Sequence, residues 1–245
     1  MRKLFRKINF GLGLKRRLFE NPLTNALYAK VVNPNRLKLP SATLDSLLSA
    51  ESRQVRLQIL PCATWDTEYD DLVALCALAL RARPARILEI GTCRGRATLQ
   101  LAINHPAARI VTYDINPAAG EYFHGLPAAA RIEQRIVDFP TDRARLVAEP
   151  CFDFIYIDGS HVEDCAKNDT ALAFDIVSPT GTIVWHDYSN TGGILGSNAV
   201  PEILNGFLGE RRILGIEGTN LAVWTGEPTA AKKAEAVIAT DGIHS

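Results

Sequence analysis

The chain has 245 residues, 47% of them hydrophobic and 22% charged, with 27 Lys plus Arg balancing 27 Asp plus Glu. That composition excludes a disordered or fibrous chain and fits one α/β domain of about 150 to 200 residues with extensions, large enough to need no disulfide or metal staple. The neutrality is uneven: residues 1–38 hold ten Lys or Arg and a single acid, Glu20, a net of +9 that leaves the remainder at −9.

The basic head comes first. Leu4, Phe5, Ile8 and Leu12 recur at helical spacing among Arg2, Lys3, Arg6 and Lys7, the pattern of an amphipathic arm on an anionic membrane surface. Gly11 and Gly13 interrupt it and favour a solvated or partner-packed arm. No uncharged stretch reaches the roughly 18 to 20 apolar residues of a membrane-spanning helix, and Lys15, Arg16 and Arg17 break the run that a secretory signal needs. Cys62, Cys76, Cys93, Cys151 and Cys165 lack C-x-x-C spacing and read as free thiols of a reducing compartment. A cytoplasmic protein is expected, with peripheral membrane contact through residues 1–19 as an added reading. Residues 1–60 read as an extension, 61–226 as the domain and 227–245 as a tail.

Within the domain, short apolar runs alternate with helical stretches, the pattern of a parallel sheet covered on both faces. Strands are expected at 86–90, 109–113, 131–137, 152–157 and 182–185, and helices at about 67–82, 94–104, 117–124, 141–148, 161–177 and 199–209. Two further runs, 212–216 and 220–224, are separated only by a Glu-Gly-Thr turn. So short a connection allows only a hairpin, and the sheet must end in an antiparallel pair.

The strongest chemical signal is Glu89-Ile-Gly-Thr-Cys-Arg-Gly95, where the first strand runs into a Gly-containing turn and then a helix. Such a turn lets a ligand approach the backbone closely. A dinucleotide-binding turn needs glycines at 91, 93 and 96; the chain has Gly91, Cys93 and Arg96, which disfavours a nicotinamide cofactor. Glu89 before the turn and Asp114 after the next strand suit a cationic nucleoside better than a pyrophosphate.

With Tyr113-Asp-Ile115, Ile157-Asp-Gly-Ser-His161 and Gly181-Thr-Ile-Val-Trp-His-Asp-Tyr188, this segment resembles the class I S-adenosylmethionine-dependent methyltransferases. It looks most like the small-molecule O-methyltransferases grouped as methyltransferase domain 24, with kinship to the macrocin O-methyltransferase and cephalosporin-hydroxylase-like groups. The resemblance spans about residues 62–226. It implies an α/β Rossmann-like sheet of seven strands, order 3-2-1-4-5-7-6 with strand 7 antiparallel, and S-adenosylmethionine as cofactor. It implies that Glu89, Gly91, Thr92 and Gly95 line the methionine end, that Asp114 with Ile115 meets the ribose, and that Asp138 with Phe139 meets the adenine. Cys93 stands where the family often has Gly.

The same fold brings Asp158-Gly-Ser-His161 and His186-Asp187-Tyr188 together at the carboxyl edge, after neighbouring strands. Asp158, His186 and Asp187 form an oxygen-and-nitrogen set for Mg²⁺ or another divalent cation. Without a metal, His161 or His186 is the base beside Asp158. Plainer readings stand next to these: Ser160-His-Val-Glu163 fits a capping box that starts a helix, His186 fits a satisfied core histidine, and the Gly-rich stretch 188–199 fits either a substrate lid or a simple connection. The expected activity is O-methylation of a small molecule or glycan, by a homo-oligomer without a nucleic-acid partner. The competing class is a non-catalytic scaffold that docks through its basic head.

Overall fold

Five parallel strands form one side of a single sheet: β2 Arg86–Ile90, β3 Arg109–Asp114, β4 Ile132–Ile136, β5 Phe152–Ile157 and β6 Val177–Trp185, with β4 at the edge. A hairpin of β7 Ile213–Ile216 and β8 Ala222–Thr225 follows, and β1 Ser41–Ala42 precedes them all. The computed structural model describes residues 37–61, 66–189 and 198–226. The basic head 1–19, Cys62, residues 190–197 of the Gly-rich stretch and the tail 227–245 lie outside the described residues.

The strand order is β1-β7-β8-β6-β5-β2-β3-β4. β2 pairs in parallel with β3 and β5, and β8 runs antiparallel to both β6 and β7. The expected seven-strand order is therefore present, and an eighth strand is added to it. β1 pairs in parallel with β7, Ser41 opposite Gly215 and Ala42 opposite Ile216. Only two residues long, β1 offers no alternation to read in the sequence.

Side chains alternate along each central strand and so divide the core in two. Ile87, Ile110, Phe154 and Tyr156 face helices α2 Tyr69–Ala82 and α3 Arg96–Asn104, where Leu72, Leu75, Leu78 and Leu101 meet them. Leu88, Val111, Ile155 and Trp185 face the other way, onto α4 Arg143–Ala148 and α5 Glu163–Ile176 through Leu146, Leu172 and Ile176. Each such fully buried side chain contributes about 1.5–3 kcal/mol. Leu75→Ala on α2 would cost roughly 2–5 kcal/mol because the packed layer cannot collapse into the gap. α2 opens with Asp70 and Asp71 in its first turn, which suits the helix dipole. It closes at Arg83 in the left-handed region, before Pro84 forbids another turn.

Residues 37–60, assigned from the sequence to an extension, pack onto the domain. Leu39 belongs to the core and its N–H donates to the Tyr188 hydroxyl at 2.9 Å. The short helix α1 Leu44–Leu47 adds Leu44 and Leu47 to the α2 side.

One expected helix, 117–124, is replaced by turns. Pro117 and Gly120, the latter at φ +92°, break it, and the backbone bonds outward instead. Gly120 N donates to Cys93 O at 2.8 Å and Tyr122 N to Arg94 O at 2.9 Å, so the segment braces the turn after β2. The final helix is shorter than expected, α6 Val200–Asn205. Among the described residues no helix is long and apolar enough to cross a membrane.

Candidate functional site

The turn between β2 and α3 is shaped by close approach. A Cβ on Gly91 would stand 2.0 Å from the Asp158 carbonyl oxygen, and the residue sits at φ +97°, so only glycine fits. Gly91 N and Thr92 N both donate to Tyr113 O, at 2.9 and 3.0 Å, which ties the turn to β3. Cys93 takes φ +48°. Its N–H donates to Asp114 Oδ2 at 2.7 Å, while Asp114 Oδ1 accepts from Asn116 N at 2.8 Å.

Beneath the turn Glu89 is fully buried. Its Oε2 accepts from the Thr98 hydroxyl and from the Thr112 hydroxyl at 2.6 Å, while Oε1 has no partner. Burial pushes this carboxyl up to about 8, against the pull of the two threonine bonds. Thr92 joins the same knot through the Thr112 hydroxyl at 2.6 Å. Gly95, at φ +83°, lies against Phe123 at the start of α3.

At the carboxyl edge of the sheet lies a cavity of about 410 Å³. Gly91, Asp114, Ile115, Asp138 and Phe139 line it, together with Asp158. Of the residues expected to meet the cofactor, these first five form its wall. Glu89, Thr92 and Gly95 do not line it; they sit behind the turn and hold its shape.

Asp158 belongs to the cavity and also to a polar cluster beside it. Its Oδ2 accepts from the Tyr156 hydroxyl at 3.0 Å and the Thr67 hydroxyl at 3.2 Å, and its Oδ1 lies 3.2 Å from His186 Nδ1. Asp187 Oδ2 lies 2.5 Å from His161 Nε2, and Asp187 Oδ1 3.4 Å from His186 Nδ1. His186 Nε2 is held at 3.0 Å by Asp71, whose other oxygen accepts from Asn220 N at 2.8 Å. Asp187 takes φ +59°, a left-handed conformation unusual for a side-chain-bearing residue and one that recurs at functional sites.

Charge follows from this packing. Hydrogen bonds with Asp158 and Asp187 raise His161 to about 9. Burial opposes a charge on His186, but the three aspartates around it overcome that and hold it protonated. Both histidines in turn keep Asp187 far below the usual carboxylate range, against its own burial.

The sequence set Asp158, His161, His186 and Asp187 is thus brought together, with a correction to the ligand set. Among the described residues, the three side chains whose donor atoms lie within 4.8 Å of one another are Asp158, His161 and Asp187. His186 stays beside the same carboxylates, its Nδ1 3.2 Å from Asp158 and 3.4 Å from Asp187, while Asp71 holds its Nε2. A second correction concerns Ser160-His-Val-Glu163. α5 begins at Glu163 behind Val162, with no side-chain cap, and the Ser160 hydroxyl accepts from Val162 N at 3.4 Å. His161 is therefore a loop residue rather than part of a helical turn. Sequence reasoning missed Asp71, Thr67, Tyr156 and Asn220. Only Asp71 left a trace, as an acid directly before the apolar run Leu72–Leu80.

A family model described as a methyltransferase domain matches residues 88–188. That match covers less than half of the chain. Solved methyltransferase structures share its fold. That of TomG from Streptomyces achromogenes, in complex with S-adenosylmethionine, is 18% identical with a TM-score of 0.55, over 76% of this chain and 100% of that one. The Bacillus cereus O-methyltransferase, in complex with S-adenosylhomocysteine, is 16% identical with a TM-score of 0.54, over 87% and 97%. The S-adenosylhomocysteine-bound methyltransferase PaMTH1 from Podospora anserina is 17% identical with a TM-score of 0.57, over 85% and 97%. No curated protein matches the chain. The methyltransferase match spans the turn after β2 and ends at Tyr188, and so encloses the cavity wall and both histidines of the polar cluster, while Asp71 lies outside it.

Proposed function

We propose that the protein transfers the methyl group of S-adenosylmethionine to a hydroxyl oxygen of a small molecule or glycan. The observation that carries this reading is the double membership of Asp158, which lines the 410 Å³ cavity and stands 3.2 Å from His186 in the polar cluster. A cofactor in the cavity would present its methyl group next to groups that handle an acceptor proton. A non-catalytic scaffold gains nothing from packing charged aspartates and histidines at the lip of an open cavity.

In the transfer an O–CH₃ bond forms as the S–CH₃ bond breaks, S-adenosylhomocysteine leaves, and the hydroxyl proton passes to a base. Alignment supplies most of the rate, since an in-line displacement needs the nucleophile, methyl and sulfur in near-attack geometry. Gly91 lets the methionine portion lie against backbone, Asp114 accepts from the ribose hydroxyls, and Asp138 with Phe139 meets the base. His161, with a side chain 39% exposed, is the histidine of the cluster open to an acceptor. The sulfonium charge, brought close, opposes the proton on His161 and favours the neutral, proton-accepting ring.

Two carboxylates and an imidazole also fit a divalent cation, and Asp158, His161 and Asp187 are the residues that would hold it. Bound there, it would polarise the acceptor hydroxyl as a Lewis acid. Calorimetry with S-adenosylmethionine and S-adenosylhomocysteine tests the reading: binding of both is expected, and binding of neither at millimolar concentration overturns it.

A further inference from the structure

Asp169 lies on α5, four residues beyond Cys165, and both border the cavity. Its side chain is only 5% exposed. Among the described residues it has no hydrogen bond and no ion pair. Its Oδ2 stands 3.4 Å from the point where a Cβ on Gly159 would be, with Ile90 Cγ2 3.2 Å from the same point. The carboxyl thus lies in the cavity wall, beside Gly159 and Ile90 at the carboxyl ends of β5 and β2. Burial and the charge of Asp138 raise it to about 7.

A nine-tenths-buried carboxyl without a protein partner is unfavourable unless water or a ligand in the cavity meets it. The cavity indicates what kind of group does so. Asp114, Asp138, Asp158 and Asp169 line it, and among the described residues no Lys, Arg or His does. An anionic ligand such as a phosphate would meet only like charge there; a ligand rich in hydrogen-bond donors meets acceptors. Asp138 and Asp169 share the cavity with Ile115, Val137 and Phe139, which suit a flat ring carrying an amino group.

We propose that Asp169 is a nucleobase-recognition residue of the cofactor cavity, its carboxyl hydrogen-bonding the amino-bearing edge of the purine together with Asp138. The inference rests on the cofactor reading above and adds to it the source of base specificity. Two carboxyls in one cavity suit adenine when one is ionised and accepts from the exocyclic amino group while the other keeps its proton and donates to the adjacent ring nitrogen. A hypoxanthine ring reverses both groups, with a carbonyl and a ring N–H, and meets the pair less well.

The test compares S-adenosylhomocysteine with S-inosylhomocysteine by calorimetry on the full chain, in wild type, Asp169→Asn and Asp169→Ala, with melting temperatures as the control for folding. Wild type is expected to prefer the adenine compound by about tenfold or more, the effect of one well-placed hydrogen bond to a charged group. Asp169→Ala should weaken S-adenosylhomocysteine by about tenfold and shrink the preference, with Asp169→Asn between the two. The apo variants should melt no lower than wild type, because the group they lose has no partner. Unchanged affinity and preference in a folded variant, or equal weakening of both compounds, overturns the inference while the cofactor reading stands. Should the alanine variant fail to fold, Asp169→Asn, nearly isosteric, gives the same comparison. Failure of wild type to bind either compound overturns the cofactor reading and this inference with it.

Discussion

His186 Nε2 lies 3.0 Å from Asp71 Oδ2, a contact that joins the first turn of α2 to the end of β6 across 115 positions of chain. The same aspartate accepts from Asn220 N, so one buried side chain fixes the imidazole, the hairpin and the helix start relative to one another. Asp71→Ala should cost about 3 kcal/mol, the lower end for breaking a buried ion pair, because Asp158 and Asp187 still face the stranded imidazolium. Asp71→Asn keeps an acceptor for Asn220 and should lose less, roughly 1–2 kcal/mol. Urea denaturation reads both, and an alanine variant as stable as wild type would show that the pair does not hold the ring.

Asp114→Ala should weaken S-adenosylmethionine binding by roughly 1.5–3 kcal/mol, the size of charge-assisted hydrogen bonds lost to a ribose diol. Because Asp114 also holds Cys93 N and Asn116 N, part of that loss comes from a loosened turn. Asp114→Asn, which retains one carbonyl oxygen, should recover some of it. Calorimetry on folded variants decides, and an unchanged dissociation constant would mean that the diol lies elsewhere.

EDTA should suppress turnover, and added Mg²⁺ or Mn²⁺ should restore it, if Asp158, His161 and Asp187 work as ligands. Asp187→Asn is the cleaner variant for this test, since asparagine tolerates the left-handed backbone that Asp187 adopts at φ +59°. It should lose turnover while still binding cofactor. Turnover indifferent to EDTA, with His161→Ala slower by roughly 10² to 10⁴, would assign the proton transfer to His161 alone.

Glu89 gives stability a pH dependence of definite sign. Its folded value of about 8 exceeds the ordinary 4.5, so the folded state keeps a proton that the unfolded chain releases as pH rises between those values. Its contribution is fully present below about 4.5 and is lost as pH climbs to about 8. Glu89→Gln removes the ionisation. The stability of wild type relative to this variant should therefore fall by a few kcal/mol from pH 5 to pH 8, since each tenfold change in proton affinity is worth about 1.4 kcal/mol. Taking the difference cancels His105, common to both proteins, which burial lowers to about 4 and which destabilises on the acid side instead. A difference that stays flat across the range would show Glu89 ionised throughout.

How far the sequence reads depends on the range of the interactions. The inner strands β2, β3, β5 and β6 announce themselves because apolar residues such as Leu88 and Ile155 fill both of their faces, and Asp158 and Asp187 stand after neighbouring strands. The helix expected over 117–124 failed because its backbone bonds to Cys93 and Arg94 rather than to itself, a tertiary contact that local propensity cannot register. Asp71 and Asn220 were invisible as site residues for the same reason, since nothing near either one points at His186.

β1 carries a consequence for how the protein is cut. Without Ser41 and Ala42, the outer backbone of β7 would lose the acceptors that Gly215 N and Glu217 N find at Pro40 O and Ala42 O. The sheet would then end in an open strand, a template on which a second chain can add. Truncation at residue 61, the boundary that charge and motif content suggest, would also strip Leu39 from the core and leave the Tyr188 hydroxyl without its backbone donor. A soluble fragment needs its first cut upstream of Leu37; one made downstream should self-associate through β7 even with every residue of the 410 Å³ cavity intact.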